Sequence, residues 1–263
     1  CGFRPATVAL CELLLTKNPG IRVNLLVTNE DQARRARAEL DDYHTGTGTF
    51  ARHFQGLTGR FHSREDDLFQ LLSDANGDEL GSVQIRVGDW TDHSELNSLP
   101  FEATHVGDHQ LVILMEESGR DSDGRTALAM MKMASLELGQ KERFGDAFQL
   151  VAVVNEEPLG LRLQERYIAT LPERADQVQV LSSRSFRSYC MFQAAVVPGF
   201  AAIYSHLLGP TGCNFLPLVP REGLGDMLDT ETNYAALSGS LRSRGFTLIG
   251  LQLNHVENGT KIV

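Results

Sequence analysis

Residues 1–30, CGFRPATVALCELLLTKNPGIRVNLLVTNE, decide how this chain is to be read. They run as a glycine turn, a helix, a short strand and an acidic residue, Glu30. From Thr7 to Lys17 the apolar side chains share one helical face, and Pro19-Gly20 stop the helix. RVNLLVTNE then has the length and apolar content of a buried strand. This is the order of a Rossmann-like entry. No strand feeds the turn, so a first strand is expected upstream of Cys1, in a longer protein.

The phosphate cradle of that entry is poorly made. A dinucleotide fingerprint needs three glycines, so that the backbone can approach pyrophosphate and the helix can pack on the sheet. Here those positions hold Gly2, Arg4 and, roughly, Thr7. Pro5 removes a backbone N–H donor. Arg4 carries a large cation to where a pyrophosphate would rest, and could pair with a phosphate. Glu30 stands where a ribose-binding acid would be, or is a solvated acid at a helix N-terminus. Gly2, Arg4 and Glu30 are the candidate nucleotide contacts, with NAD less expected than another ligand.

Outward from this entry, strand-like runs alternate with helical segments. SVQIRVGDW is a strand, and Asp92 or Ser94 can cap the helix after it. HQLVILMEE is a buried strand followed by the helix RTALAMMKMASLEL. AFQLVAVVNEE precedes PLGLRLQERYIATL, whose Pro158 sits in a first turn. DQVQVLSS closes the series, giving about five parallel strands of a doubly wound sheet. Residues 41–81 break the rhythm as a polar insertion with one amphipathic piece, EDDLFQLLSD. After residue 181 a long apolar helix interrupted near Pro198 leads to a small α+β tail ending in the strand FTLIGLQL.

Bulk properties exclude several classes. A net charge of -10 opposes nucleic-acid binding, which needs a basic stripe, but suits cations. The four cysteines form no CxxC pair and read as buried thiols of a reducing compartment. No stretch is long enough to span a membrane. The chain holds no GxSxG elbow, no GxxxxGK[ST] loop and no HExxH helix, so enzymatic chemistry is weakly supported.

Acidic residues carry more information. Glu116 and Glu117 end one strand, Asp121 and Asp123 follow it, and Glu156 and Glu157 end the next. In a parallel sheet both groups emerge at the carboxyl edge, where α/β ligand sites form. Hard cations such as Ca2+ gather several carboxylate oxygens. The alternative is that these acids cap helices and face their dipoles.

The order of pieces resembles a known family. The opening CGFRP resembles the first turn of the Castor and Pollux group of ion channels, whose cytosolic parts are RCK domains (regulators of K+ conductance). LPFEATHVGDHQLVILMEESGRDSDGRTALAMMKM resembles that group's strand ending in Asp-Glu-Ser before a long helix. VAVVNEEPLGLRL is similar to its following strand, and residues 214–251 resemble the RCK C-terminal lobe. Residues 41–81 are unmatched.

The resemblance implies an α/β fold in three parts. A Rossmann-like parallel sheet would cover 1–181, a crossover helix 182–209 and a small C-terminal α+β lobe 210–263. It implies a non-enzymatic, ligand-sensing gating domain on the cytoplasmic side of a potassium or other cation channel. That domain would associate with itself as a dimer or ring below the membrane pore domain of the same protein, and would bind no nucleic acid. Ca2+ would be held by Glu116, Asp121 or Asp123, and Glu156 or Glu157. The apolar stretch CMFQAAVVPGFAAIY is then either a dimer surface or buried within one chain. The alternatives are an NAD(P)-binding oxidoreductase-like domain and a nucleotide-sensing regulatory subunit of a potassium transporter.

Overall fold

The structure, a computed structural model, describes residues 1–4, 6–45, 59–65, 68–73, 78–99, 105–115, 121–200, 202 and 234–243. In chain order the elements begin with α1 (Ala6–Lys17), β1 (Ile21–Val27), α2 (Glu30–Thr45), β2 (Gly59–Glu65), β3 (Leu68–Ser73) and β4 (Glu79–Val87). They continue with α3 (His93–Asn97), β5 (Leu111–Leu114), α4 (Ser122–Gly139), β6 (Gln149–Val154), α5 (Glu157–Thr170), β7 (Val178–Ser182) and α6 (Ser183–Val196). The last is α7 (Tyr234–Ser243). Two compact units divide the chain, Cys1–Cys213 and Asn214–Val263.

The first unit is a Rossmann-like α/β fold. β1 and β4 pair in parallel, and β5, β6 and β7 form a second parallel set. Cys1 and Gly2 lie between β1 and β5 and bond to both. The Cys1 amino group donates to Ile113 O at 2.7 Å, Met115 N donates to Cys1 O at 2.8 Å, and Gly2 N donates to Leu26 O at 2.9 Å. The resulting order is β2-β3-β4-β1, then Cys1–Gly2, then β5-β6-β7. The strand order reverses at Cys1–Gly2, the switch point at which such sheets bind ligands.

Side-chain alternation builds one core on each face of the sheet. Leu25 and Val27 pack with Val8, Cys11 and Leu15 of α1 and with Ala33, Ala36 and Leu40 of α2. Leu26 faces the other way and joins Trp90, Leu96 of α3, Met130 and Met133 of α4, and Leu163 and Tyr167 of α5. β6, flanked on both sides, buries Leu150, Ala152 and Val154 in that second core. Each large side chain so buried stabilises the fold by about 1.5–3 kcal/mol.

Local chemistry sets the helix starts. Asp92 is the cap of α3 and accepts from Ser94 N at 2.8 Å, while Ser182 caps α6. Pro158 sits in the first turn of α5. The expected insertion is corrected in part. α2 runs on to Thr45, and β2 and β3 are antiparallel strands that extend the sheet beyond β4. Pairing with β4 turns Phe69 and Leu71 into the core beside Val83 and Ile85, so the amphipathic piece has a strand's period.

The division between units falls at residues 213 and 214, beyond the expected start of the crossover helix. The first residues of that expected segment form α6, within the first unit. In the second unit α7 buries Leu237 and Leu241. The expected C-terminal strand, FTLIGLQL, lies outside the described residues.

Candidate functional site

The carboxyl edge of the parallel strands gathers the opening turn, the ends of β1, β4, β6 and β7, and the first turns of α4 and α6. Gly2 is buried with φ 82°, a backbone state that L side chains rarely adopt, and it turns the chain off the sheet toward α1. Beyond it, Arg4 N donates to Thr7 Oγ1 at 2.9 Å and Thr7 N donates to Arg4 O at 2.8 Å. Two amides that a dinucleotide fingerprint would turn to phosphate, those of Gly2 and Arg4, are therefore spent on Leu26 O and Thr7 Oγ1. This is the physical form of the degraded cradle. Glu30 opens α2, exposed, with Arg37 at 3.3 Å, a placement that complements the helix dipole.

Next to this turn stands a cluster that the sequence reading did not single out. Arg125, in the first turn of α4, reaches across the edge to Thr28 Oγ1 after β1 and to Asp89 Oδ1 after β4, both at 3.2 Å. Its guanidinium lies 5.3 Å from the ring centre of the buried Trp90. Asp89 Oδ1 also accepts from Thr91 N at 3.0 Å and Thr91 Oγ1 at 2.7 Å. Burial pushes the Asp89 carboxyl up, but the two Thr91 donors and Arg125 outweigh it and hold the pKa below the usual value. The local signal was GDWTD, where Asp89 precedes a threonine two residues on, an Asx-turn pattern. Nothing in the sequence could show that Arg125 would meet it.

Of the expected cation ligands, Glu116 lies outside the described residues, as does its neighbour Glu117. Asp121 precedes α4, exposed, and its side chain caps no helix amide. Asp123 Oδ1 accepts from Asn155 N at 2.8 Å and Asn155 Nδ2 at 3.1 Å, and Asp123 Oδ2 accepts from Glu156 N at 3.1 Å. Glu156 pairs with Arg184, and Glu157 accepts from Ser185 Oγ at 2.7 Å. Asp123 and the end of β6 thus meet through backbone and asparagine amides. Glu156 and Glu157 instead face the first turn of α6. Among the described residues, no group of three or more His, Cys, Asp or Glu could hold a metal ion.

Asn155 is the hub of this rim. It also donates to Ser122 Oγ at 3.1 Å, accepts at Oδ1 from Ser183 Oγ at 3.2 Å, and its carbonyl accepts from Ser182 Oγ at 2.8 Å. One side chain therefore ties β6, α4 and α6 together. From this rim α6 runs out with no buried residue. Phe186, Tyr189, Met191, Phe192 and Val196 are each more than half exposed. Phe186, Tyr189, Phe192 and Val196 recur every three or four residues and so mark one side of the helix.

Among the described residues, His105 and His109 join no group of acids that could hold a metal ion. His105 Nδ1 accepts from Gly107 N at 2.8 Å, and the His109 ring nitrogen Nε2 lies 2.9 Å from Asn24 Nδ2. Burial is the leading cause that holds both imidazoles below their ordinary pKa. Comparison with known proteins gave no match to a family model, to a curated protein or to a solved structure.

Proposed function

We propose that this chain is a ligand-sensing, self-associating regulatory domain of RCK type from a cation channel, held on the cytoplasmic side of the membrane beside its pore domain. The observation that carries the reading is α6, a helix with no buried residue and an apolar side rooted at the ligand-binding edge of a Rossmann-like sheet. A second copy of the chain covers that side. A small ligand at the carboxyl edge changes how α6 is held, and the population of assembled states follows its differential affinity.

Ca2+ remains the first ligand to test. It would draw on Asp121 and on Glu116, and it would have to take Glu156 from Arg184 and Glu157 from Ser185. Hard cations favour such clustered carboxylates. NAD is the weaker alternative, because the Gly2 and Arg4 amides already have acceptors.

Sedimentation velocity of the whole chain at micromolar concentrations, with calorimetric titration of Ca2+ and of NAD, tests this. The expected result is a dimer or larger ring that Phe186→Asp with Phe192→Asp reduces to a monomer. Glu156→Gln should weaken Ca2+ binding. A parent chain that is monomeric throughout, or one that binds NAD stoichiometrically and ignores Ca2+, overturns the proposal.

A further inference from the structure

The parallel set β5-β6-β7 has one covered face and one open face. Val112, Leu114, Leu150, Ala152, Val154 and Val178 turn into the core shared with α4 and α5. Alternation sends Leu111, Ile113, Val151, Val153, Gln179 and Leu181 to the other side. The register aligns them in rows, with Ile113 beside Val151 beside Gln179, and Val153 beside Leu181. Leu181 is 52% exposed and Leu111 37%, while Ile113, Val151 and Val153 are partly buried. Parallel sheets are almost always covered on both faces, so an aliphatic face this open marks a place for a partner.

We propose that α6 of a second copy lies on this face, each copy laying its helix across the other's β5-β6-β7 about a twofold axis. The inference rests on the reading that copies of the chain associate, and it names the surface that meets α6. Two features select this occupant. Residues 188–196 of α6, SYCMFQAAV, carry no charge, and neither do the six residues of the open face. The helix also has the right size. Its 14 residues make about 21 Å, and a cylinder about 10–12 Å across covers two to three strands spaced ~4.8 Å apart.

A chain's own α6 leaves both surfaces open. It starts directly after β7, and its root is fixed by the Ser182 cap and by Arg184 on Glu156. Phe186, Tyr189 and Phe192 are still more than half exposed. Exchange between two copies covers helix and sheet at once. Three such aromatic side chains on each of two helices leave about 500–900 Å² to be covered. The facing sheets lose a comparable area, which brings the total near the ~1,200–2,000 Å² of stable interfaces.

Sedimentation velocity of the whole chain and disulfide trapping test this together. Leu181→Asp, on the edge strand, is expected to raise the dimer dissociation constant at least thirtyfold, as Phe192→Asp does from the helix side. Trapping avoids a new charge and decides the matter if Leu181→Asp fails to fold. Leu181→Cys in one copy is mixed with Phe186→Cys, Tyr189→Cys, Phe192→Cys or Val196→Cys in a differently tagged copy, all with Cys190→Ser. At least one of these pairs is expected to form a disulfide between copies. A dimer that Phe192→Asp breaks, with no such disulfide and no effect of a folded Leu181→Asp, overturns this inference and leaves self-association standing, because helix then meets helix. A disulfide formed within one monomeric copy carrying both thiols also overturns it, because α6 then folds back on its own sheet. A parent chain that is monomeric throughout overturns both readings.

Discussion

Removing Arg174 should be among the most damaging single changes in the first unit. Its side chain is 6% exposed and pairs with the carboxylate of Glu137, which is 1% exposed. Arg174 also donates to Phe144 O at 3.0 Å and Gly145 O at 3.1 Å, and lies 5.9 Å from the Phe148 ring centre. Tyr167 Oη completes the group by donating to Glu137 Oε2 at 2.9 Å. Burial, and then the adjacent Glu137 charge, push the Tyr167 hydroxyl far above its ordinary pKa, so it stays a donor at every working pH.

Arg174→Met keeps the volume and removes the cation, leaving a buried carboxylate with Tyr167 alone and two carbonyls without their donors. Breaking a buried pair from one side costs about 3–5 kcal/mol. A domain of this size has roughly 5–15 kcal/mol in all, so up to most of its stability is at stake. At about 2–4 °C per kcal/mol, the thermal midpoint should fall by about 6–20 °C. Urea unfolding of Arg174→Met, Glu137→Leu and the double variant forms a cycle. The double variant should be less damaged than the two singles together, because it strands no charge. A loss below about 1 kcal/mol for Arg174→Met, or strict additivity in the cycle, would refute this account of the pair.

Three further outcomes are expected. Below pH 6.5, His105 and His109 bind protons more weakly folded than unfolded, so stability should decline as pH falls from about 7.5 to about 5.5, and His105→Gln with His109→Gln should flatten that slope in thermal melts. Asp89 has a depressed pKa when folded, so its contribution is complete above its ordinary 3.8 and is lost as acid protonates it; Asp89→Asn should separate from the parent in urea midpoint at neutral pH, with the gap closing below pH 3.8. Gly81, at φ 151°, would place a new Cβ 2.5 Å from Ile21 O and 2.7 Å from the Leu15 side chain, so Gly81→Ala should cost about 1–3 kcal/mol and loosen amide protection where β1 meets β4.

The parallel strands were legible because each is a short apolar run between turn residues, and the helices between them have a different period. β3 was not, because LFQLLS carries leucines at spacings that suit either element, and only pairing with β4 selects the strand. Among the site residues, the caps at Asp92 and Ser182 depend on near neighbours and can be read locally. Arg125 depends on Thr28 and Asp89, far away in the sequence. The acids illustrate the same limit. Strand-end position was readable for Glu156, but its direction was set by Arg184, which only the fold brings near.

These contacts also indicate which element a bound ligand can move, under the proposed reading. α4 is held at one end by Arg125 and Asn155 and near the other by the buried Glu137–Arg174 pair. Displacing its far end requires breaking that pair, at about 3–5 kcal/mol. α6 is held at its start by serine hydroxyls and by the Arg184–Glu156 pair, whose side chains are 67% and 54% exposed. An exposed pair of that kind contributes only about 0–1 kcal/mol. A ligand that shifts populations a hundredfold supplies about 2.7 kcal/mol of differential affinity, which is enough to release α6 and too little to dislodge α4. On the proposal, Glu156 and Glu157 are therefore the point of exchange, since a cation that took them from Arg184 and Ser185 would free the root of the helix whose apolar side is proposed to meet a second copy.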